Sequence, residues 1–191
     1  MTRASQGWGA WRSLILATWF AACTQCLAQT EAPSQGAEYQ VKAAFLYKFA
    51  GYVQWPDKAA GPPDAPFTFG VAGADALADE LAQLVEGRTL TGRTVAVQKL
   101  KPGGSLDGVH VLFLGKGDPA SISGLRQWVK QRPVLIVTES EGALERGSMI
   151  NFVLAERRVR FEIALDAAEK GGLRMSSRLL AVAQKVSAGG P

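Results

Sequence analysis

The sequence predicts an α/β fold: a three-layer sandwich with a mixed sheet, made of a mostly parallel core and a C-terminal antiparallel hairpin, with helices on both faces. Two observations lead to this prediction. Segments 109–114 and 133–137 are apolar almost throughout, which is typical of parallel strands that helices cover on both sides. Segments 150–154 and 159–163 alternate apolar and polar residues around a short turn, which is typical of a hairpin with one buried face.

The first 28 residues are predicted to be a signal peptide for export. Arg3 and Arg12 form a basic start, and the apolar run 14–23 that follows is too short for a relaxed membrane span. Small residues stand at the two positions that a signal peptidase reads, so cleavage is expected between Ala28 and Gln29. An uncleaved anchor and a buried helix are the alternative interpretations. The signal peptide predicts a periplasmic protein.

Both cysteines, Cys23 and Cys26, lie in the predicted signal peptide, so the mature chain would have no disulfide and no sulfur metal site. Lipid attachment at Cys23 is an alternative, although Phe20 stands where such signals usually have Leu. Of 21 basic residues two are arginines of the signal peptide, which leaves 19 against 17 acidic ones. A net charge close to +2 gives no electrostatic reason to expect nucleic-acid binding.

The remaining chain is predicted to be a flexible tether at 29–37 and a single domain at 38–188. Apolar side chains recur every four residues at the start of the domain, at Val41, Phe45, Phe49 and Val53. They predict a largely buried helix over 39–53. Trp55 and Pro56 prevent it from continuing, because the residue before a proline avoids helical geometry. After a loop at 57–66, strands are expected at 67–71, 95–97, 109–114 and 133–137, and helices at 74–86 and 119–131.

The last two elements are predicted from their side-chain patterns. A turn at 155–158 would pair Ile150 with Ile163, Phe152 with Phe161, and Leu154 with Val159 on one face of the hairpin. Asn151 and Glu162 would then pair on the other face, as would Val153 and Arg160, although Glu-Arg is not a favoured dipeptide for a tight turn. A final helix would begin at Ser176 as N-cap and bury Leu179, Val182, Ala183 and Val186.

The sequence offers no assembled active site, and neither an enzyme, a cofactor nor a metal is predicted. His110 is the only histidine and lies within an apolar strand, where a core histidine with satisfied nitrogens is expected rather than a catalytic or metal-binding one. The carboxylates at Asp75, Asp79 and Glu80 have no spacing typical of metal ligands. The glycine-containing segments 70–75 and 115–119 are interpreted as turns rather than phosphate-binding loops.

Exposed polar and aromatic side chains give the candidate binding residues. Arg158, Arg160 and Glu162 would project together from the hairpin, as an ordinary solvated face or as a contact for a partner or an anion. Tyr39, Tyr47 and Trp55 flank the first helix, where packing against the sheet is expected rather than a ligand cage. The candidate partner-binding residues are Asn151, Arg158, Arg160, Glu162, Tyr47 and Arg178.

Five sequence blocks follow one another between Glu38 and Val186. They are VKAAFLYKF at 41–49, closed by Trp55 and Pro56, then GVHVLFL at 108–114, GSMINFVL at 147–154, VRFEI at 159–163 and GLRMSSRLL at 172–180. In order and spacing these blocks resemble the YfiR/HmsC-like family of exported proteins. The resemblance covers nearly the whole predicted mature chain.

The resemblance implies a non-enzymatic periplasmic regulator. Such a protein would bind the periplasmic sensor domain of an inner-membrane diguanylate cyclase and hold it inactive, which lowers cyclic di-GMP and disfavours biofilm. The family also implies an outer-membrane lipoprotein that can sequester the repressor, and a homodimer. The best-known members carry disulfides, whereas the predicted mature chain has no cysteine, so redox control of that kind is not expected here.

A second hypothesis remains open beside the repressor. The chain could be a small-ligand-binding sensor that acts on another membrane partner. In an α/β sheet such a ligand would bind at the carboxyl ends of the strands, here near Gly73 and Gly115.

Overall fold

The computed structural model describes residues 34–56, 62, 64–101, 104–116 and 133–188. The helices of this part of the chain are α1 (Gln35–Tyr52), α2 (Asp75–Val85), α3 (Leu165–Lys170) and α4 (Ser177–Val182). The strands are β1 (Val53–Gln54), β2 (Phe67–Ala72), β3 (Thr89–Leu90), β4 (Arg93–Leu100), β5 (Val109–Leu114), β6 (Leu135–Thr138), β7 (Ile150–Ala155), β8 (Arg158–Ala164), β9 (Arg174–Met175) and β10 (Lys185–Ser187).

Eight of these strands form one mixed sheet in the order β10-β8-β7-β6-β5-β2-β4-β3. The five strands from β7 to β4 run parallel to their neighbours, whereas β8 is antiparallel to β7 and β3 is antiparallel to β4. Strand β10 pairs with β8 in parallel, and β1 pairs with β9 in a separate small sheet. The predicted α/β fold with a mostly parallel core and a C-terminal hairpin is confirmed.

The larger apolar core lies between one face of the sheet and helices α1 and α2. Phe49 of α1 is its centre: its ring lies 4.8 Å from that of Phe161 and 5.7 Å from that of Phe152. Aromatic contacts of this kind add about 0.5–1.5 kcal/mol to the burial of the rings themselves. A smaller cluster around Leu112 and Ile136 lies apart from this core. The helix predicted at 119–131 falls outside the described residues.

The predicted hairpin is confirmed pair by pair. Strands β7 and β8 align Ile150 with Ile163, Phe152 with Phe161, and Leu154 with Val159, with the turn at 156–157. Both turn residues have a left-handed backbone, with φ of 52° at Glu156 and 60° at Arg157. Each such residue costs roughly 1–2 kcal/mol when it is not glycine. The pairing of two apolar strands therefore imposes a turn that the local sequence disfavours.

Helix α1 differs from its prediction at both ends and in its buried face. Ser34 accepts a hydrogen bond from the N–H of Ala37, so residues 35–37 belong to the helix and not to the predicted tether. The buried face is formed by Lys42, Ala43, Leu46, Phe49 and Ala50, and Val41 is 44% exposed. Of the predicted stripe, Phe49 and Val53 are buried and Phe45 packs against the core, so only Val41 departs from the prediction. The buried face is wider than the stripe because α1 packs on both α2 and the sheet.

The C-terminal prediction was right about the start of the helix and wrong about its end. Ser176 is the N-cap and accepts a hydrogen bond from the N–H of Leu179, as predicted. The helix ends at Val182, which is 64% exposed, and Val186 lies in strand β10. The N–H of Gln184 donates to the carbonyl of Phe161, so pairing with β8 replaces the helical hydrogen bonds that the stripe had predicted.

Several short elements were missed by the sequence reasoning. Strand β3 forms a hairpin with the start of β4 through Thr91 and Gly92, which both have positive φ. Helix α3 and the two-residue strands β1 and β9 were also not predicted. Asp75 is the first residue of α2 and follows Ala74, which makes no side-chain cap. These elements are too short for an apolar pattern to emerge.

Candidate functional site

A buried charged cluster lies where the carboxyl end of β6 meets the first half of α1. The ammonium of Lys42 donates to the carboxylate of Glu38, one turn earlier on α1, and to the carboxylate of Glu139, directly after β6. The side chain of Lys42 is 3% exposed, that of Glu139 6% and that of Glu38 18%. These three residues are called the carboxyl-edge cluster below. They tie α1 to the sheet.

The carboxylates of this cluster hold Lys42 in its charged form. Burial by itself lowers the pKa of the ammonium, because a low-dielectric surrounding disfavours the charge. Hydrogen bonds and Coulomb attraction from Glu139 and Glu38 outweigh the burial, and the pKa of Lys42 is raised above its usual value. Lys42 therefore stays charged throughout the physiological pH range.

Further groups complete the surroundings of the two buried charges. The backbone N–H of Lys116, just beyond β5, donates to Oε1 of Glu139 over 3.2 Å. The ammonium of Lys42 also lies 5.6 Å from the ring centre of Tyr39 and 5.9 Å from that of Phe152, within the range of cation–π attraction. The sequence reasoning missed this site. Its one local signal was a lysine within an apolar helix.

Asn151 lies beside the cluster and is part of the core, not of the surface. It is 5% exposed, and its Oδ1 accepts hydrogen bonds from the hydroxyl of Thr138 at 2.7 Å and from the N–H of Ser140 at 3.1 Å. The amide thus fixes the chain as it leaves β6. Asn151 is therefore the buried member of the six candidate partner-binding residues.

Two neighbouring cavities open at the carboxyl edge. A cavity of about 290 Å³ is lined by Gln35, Glu38, Tyr39, Gly73, Lys116 and Glu139. A cavity of about 470 Å³ is lined by Glu38, Lys42, Lys116, Glu139, Ser140, Glu141, Asn151, Phe152, Val153 and Leu154. The carboxyl-edge cluster contributes to the walls of both. The region therefore combines fixed charges, aromatic rings and a space of small-ligand size.

The sequence predicted a ligand crevice near Gly73 and Gly115, but the observed cavity lies beside these two turns and includes only Gly73. The N–H of Gly115 donates to the carbonyl of Ala72, and a Cβ atom on Gly115 would lie only 2.4 Å from the carbonyl oxygen of Gly73. The backbone of the two turns is thus in direct contact, and a side chain at 115 would not fit. Gly73 lines the smaller cavity, which opens beside the two turns.

The hairpin carries the exposed part of the predicted binding residues. Arg158 and Arg160 are exposed, and Glu162 is half-buried. All three lie on the face of the hairpin opposite to Phe152 and Phe161, because they pair with the alternate residues of β7. The structure brings these three together, as predicted from their alternation.

Tyr47 and Arg178 lie on two other elements. Tyr47 is half-buried on α1, its hydroxyl donates to the carbonyl of Thr89, and the guanidinium of Arg88 lies 5.5 Å from its ring centre. This is packing between α1 and the loop after α2. Arg178 is exposed in the first turn of α4. The six candidate residues therefore do not form one continuous site.

His110 is buried with both ring nitrogens in polar contact, as the sequence predicted. The N–H of Thr68 donates to its Nδ1 over 3.2 Å, and a guanidinium nitrogen of Arg93 lies 3.2 Å from its Nε2. The ring also stacks on Phe67 at 4.5 Å between ring centres. Burial, then the charge of Arg93, lowers the pKa of His110, against a backbone hydrogen bond with Gly108 that raises it.

A third opening lies between the small β1–β9 sheet and helices α3 and α4. Its volume is about 880 Å³, and its walls are mainly apolar, with Trp55, Leu173 and Met175 among them. The indole ring of Trp55 contacts Phe67 edge-on at 5.3 Å, and its buried N–H has no hydrogen-bond partner. Trp55 therefore serves mainly as packing, in agreement with the sequence analysis.

Among the residues that the structure describes, no group of three or more histidine, cysteine, aspartate or glutamate side chains is placed to hold a metal ion. None of the helices in the same residues is both long enough and apolar enough to span a bilayer.

Comparison with known proteins gives one strong match. The sequence profile of the YfiR/HmsC-like family matches residues 39–184. A search of curated proteins finds no match. A crystal structure of a conserved domain protein from Vibrio cholerae O1 biovar eltor str. N16961 is similar, with 13% sequence identity and a TM-score of 0.47. That similarity covers 68% of this chain and 57% of the other, and it is too distant to carry an argument.

Proposed function

The chain belongs to the YfiR/HmsC-like family, and from this premise we propose that it is a periplasmic repressor of an inner-membrane diguanylate cyclase. The family suggests a periplasmic regulator of diguanylate cyclase signalling and is regulatory rather than catalytic. The observation that carries the proposal is the extent of the match, which begins within α1 at residue 39 and ends at residue 184, directly before β10.

The repressor acts by a difference in affinity. It binds the sensor domain of the inactive cyclase more tightly than that of the active one, and each tenfold difference shifts the equilibrium by about 1.4 kcal/mol. Less cyclic di-GMP is then made, and biofilm formation decreases. An outer-membrane lipoprotein that sequesters the repressor would reverse the effect. A homodimer would present the same surface twice.

The exposed face of the hairpin is the proposed contact with the cyclase. Arg158 and Arg160 are exposed on β8, where the strand pairs with β7, so their guanidinium groups are well placed for carboxylates of a partner. Arg178 on α4 and Tyr47 on α1 remain secondary candidates. Asn151 supports this proposal only indirectly, by fixing the end of β6.

The first experiment is deletion of the gene with measurement of cyclic di-GMP in cells that express the partner cyclase. The proposed repressor predicts a rise in cyclic di-GMP, and a plasmid copy of the gene should reverse it. An unchanged level in the deletion strain would contradict the proposal.

The second experiment tests the hairpin face. Arg160→Glu should weaken binding to the cyclase sensor domain at least tenfold, because it places a carboxylate where a guanidinium is expected to meet one. Lys101→Glu is the matched control, since it reverses one exposed charge directly after β4 and outside the hairpin. Equal binding by both variants would remove the hairpin from the contact.

The alternative is a small-ligand-binding sensor that acts on another membrane partner. The two cavities at the carboxyl edge favour it, because they combine charged and aromatic walls. A thermal-shift screen distinguishes the two functions: a ligand at 100 times its Kd stabilises the folded protein by about 2.7 kcal/mol. A ligand effect without any change in cyclic di-GMP on deletion would favour the alternative.

A further inference from the structure

We propose that the 470 Å³ cavity at the carboxyl edge binds a small organic ammonium ion that carries a short apolar chain. The site is formed by a charged wall, which includes Glu38, Lys42 and Glu141, and an apolar wall from Phe152 to Leu154 on β7. The inference does not rest on the proposed cyclase partner, because binding can be measured on the purified chain alone.

The charges of the cavity select a cation. Its lining contains three carboxylates, at Glu38, Glu139 and Glu141, and two ammonium groups, at Lys42 and Lys116, which leaves one excess negative charge. Lys42 is already held by two of the carboxylates, so it is not free to bind an anionic ligand. An added ammonium completes the neutralisation, whereas an added carboxylate would have to compete with a buried ion pair.

The charged wall of the cavity already binds one ammonium group, that of Lys42. The Lys42 amine has two carboxylate acceptors and lies within 6 Å of two aromatic ring centres, which is the environment that organic cations find in protein sites. Glu38 keeps 18% of its side-chain surface exposed and Glu141 is an exposed residue. Both residues line the cavity, so their carboxylates are the proposed acceptors for the head group of a second amine.

The other wall explains the apolar chain of the ligand. Leu154 is 55% exposed although it lies on the buried face of the hairpin, and Val153 beside it is half-buried. Both line the cavity together with Phe152. An alkyl chain placed there covers apolar surface that α1 leaves open. Each buried methylene strengthens binding about fourfold.

The test uses three probes with the same six-carbon chain: hexylammonium, hexanol and hexanoate. Isothermal titration of the purified chain should give the lowest Kd for hexylammonium, with hexanol and hexanoate at least tenfold weaker. Butylammonium should bind about sixteenfold more weakly than hexylammonium, since it lacks two methylenes. Equal binding of hexylammonium and hexanoate, or no binding of hexylammonium at millimolar concentration, would overturn the inference.

Variants then locate the site. Glu141→Gln should weaken hexylammonium binding at least tenfold, and Leu154→Ser should remove the difference between the butyl and hexyl chains. Both residues are exposed, so both variants are expected to fold. Glu86→Gln is the matched control, because it neutralises an exposed carboxylate that does not line this cavity. Weakening of the same size in Glu86→Gln and Glu141→Gln would show general attraction to an acidic surface and refute the site.

Discussion

Two buried ionisable side chains lie at opposite ends of the parallel strands, and their pKa values shift in opposite directions. Lys42 meets the carboxyl end of β6 and is 3% exposed, while His110 lies near the amino end of β5 and is 7% exposed. The pKa of Lys42 is raised and that of His110 is lowered. Both side chains are buried to a similar extent, so burial does not decide the direction.

The charges next to each side chain decide the direction of its pKa shift. Burial disfavours the charged form of both groups. Glu38 and Glu139 reverse that effect for Lys42, because both accept hydrogen bonds from its ammonium. At His110 the nearby charge is the guanidinium of Arg93, which adds to the effect of burial. At one end of the sheet two carboxylates stabilise a buried cation, whereas at the other the cation of Arg93 disfavours a second positive charge on His110.

The largest expected effect is the loss of the cation at the carboxyl edge. Lys42→Met should lower the free energy of unfolding by about 3–5 kcal/mol, because it leaves the buried carboxylate of Glu139 without its counter-charge. Chemical denaturation at pH 7 measures the change. A loss below 1 kcal/mol would mean that the cluster behaves like a surface ion pair.

A double variant sharpens this prediction. Lys42→Met combined with Glu139→Leu removes both buried charges, and apolar replacements of a buried pair are often neutral or stabilising. The double variant should therefore recover much of the stability lost in Lys42→Met. If it is as unstable as the sum of the two single variants, packing and not charge explains the loss.

An intermediate effect is expected from pH at the amino end. The folded pKa of His110 lies below its unfolded value of about 6.5, so the unfolded chain takes up the proton first. The contribution of His110 to the free energy of unfolding should be complete above pH 6.5. It should fall as the pH decreases towards the folded pKa, by at most about 1.4 kcal/mol per pH unit. Denaturation midpoints between pH 7.5 and 5 measure this slope.

His110→Phe provides the control for the slope. Phenylalanine can still stack on Phe67 but cannot take up a proton, so the change in stability with pH should be smaller than in the unsubstituted protein whatever the absolute stability. Lys42 does not contribute to the change in stability between pH 5 and 7.5. Its raised pKa means that its stabilisation is complete below pH 10.5 and is lost only as the pH rises further. An unchanged slope in His110→Phe would contradict the assignment.

The smallest effect is expected from an exposed ion pair. Lys99 lies 2.7 Å from Asp79, but the side chains are 47% and 59% exposed, so water screens their attraction. Lys99→Met should change the free energy of unfolding by less than about 1 kcal/mol. The contrast with Lys42→Met is measured in the same denaturation experiment, and similar losses in both variants would remove burial as the reason for the difference.

The sequence was most informative where a pattern repeats over several residues. The β7–β8 hairpin could be predicted with its register because three apolar pairs fit only one alignment. The strands β2 and β5 were also found, because each is a run of mostly apolar residues. At the last helix such a pattern was misleading. The apolar stripe from Leu179 to Val186 fits a helix, but residues 185–187 form a strand because they pair with β8.

The candidate site was harder to predict because its residues are distant in sequence. Glu139 follows Lys42 by 97 residues, and only the meeting of α1 with the end of β6 makes them a pair. Alternation correctly placed Arg158, Arg160 and Glu162 on one face of the hairpin. It could not show that Asn151, on the same face of β7, would be covered and bonded to Thr138 and Ser140.

By itself the sequence determined the α/β class, the hairpin register, the buried position of His110 and, through its ordered blocks, the resemblance to the family. These follow from periodicity and local chemistry, which neighbouring residues carry. Only the tertiary structure decided how wide the buried face of α1 is, where the cavities open and which charges compensate Lys42. The physical reason is that a charge or a cavity depends on groups brought together by packing, and their separation along the chain has no periodicity to reveal it.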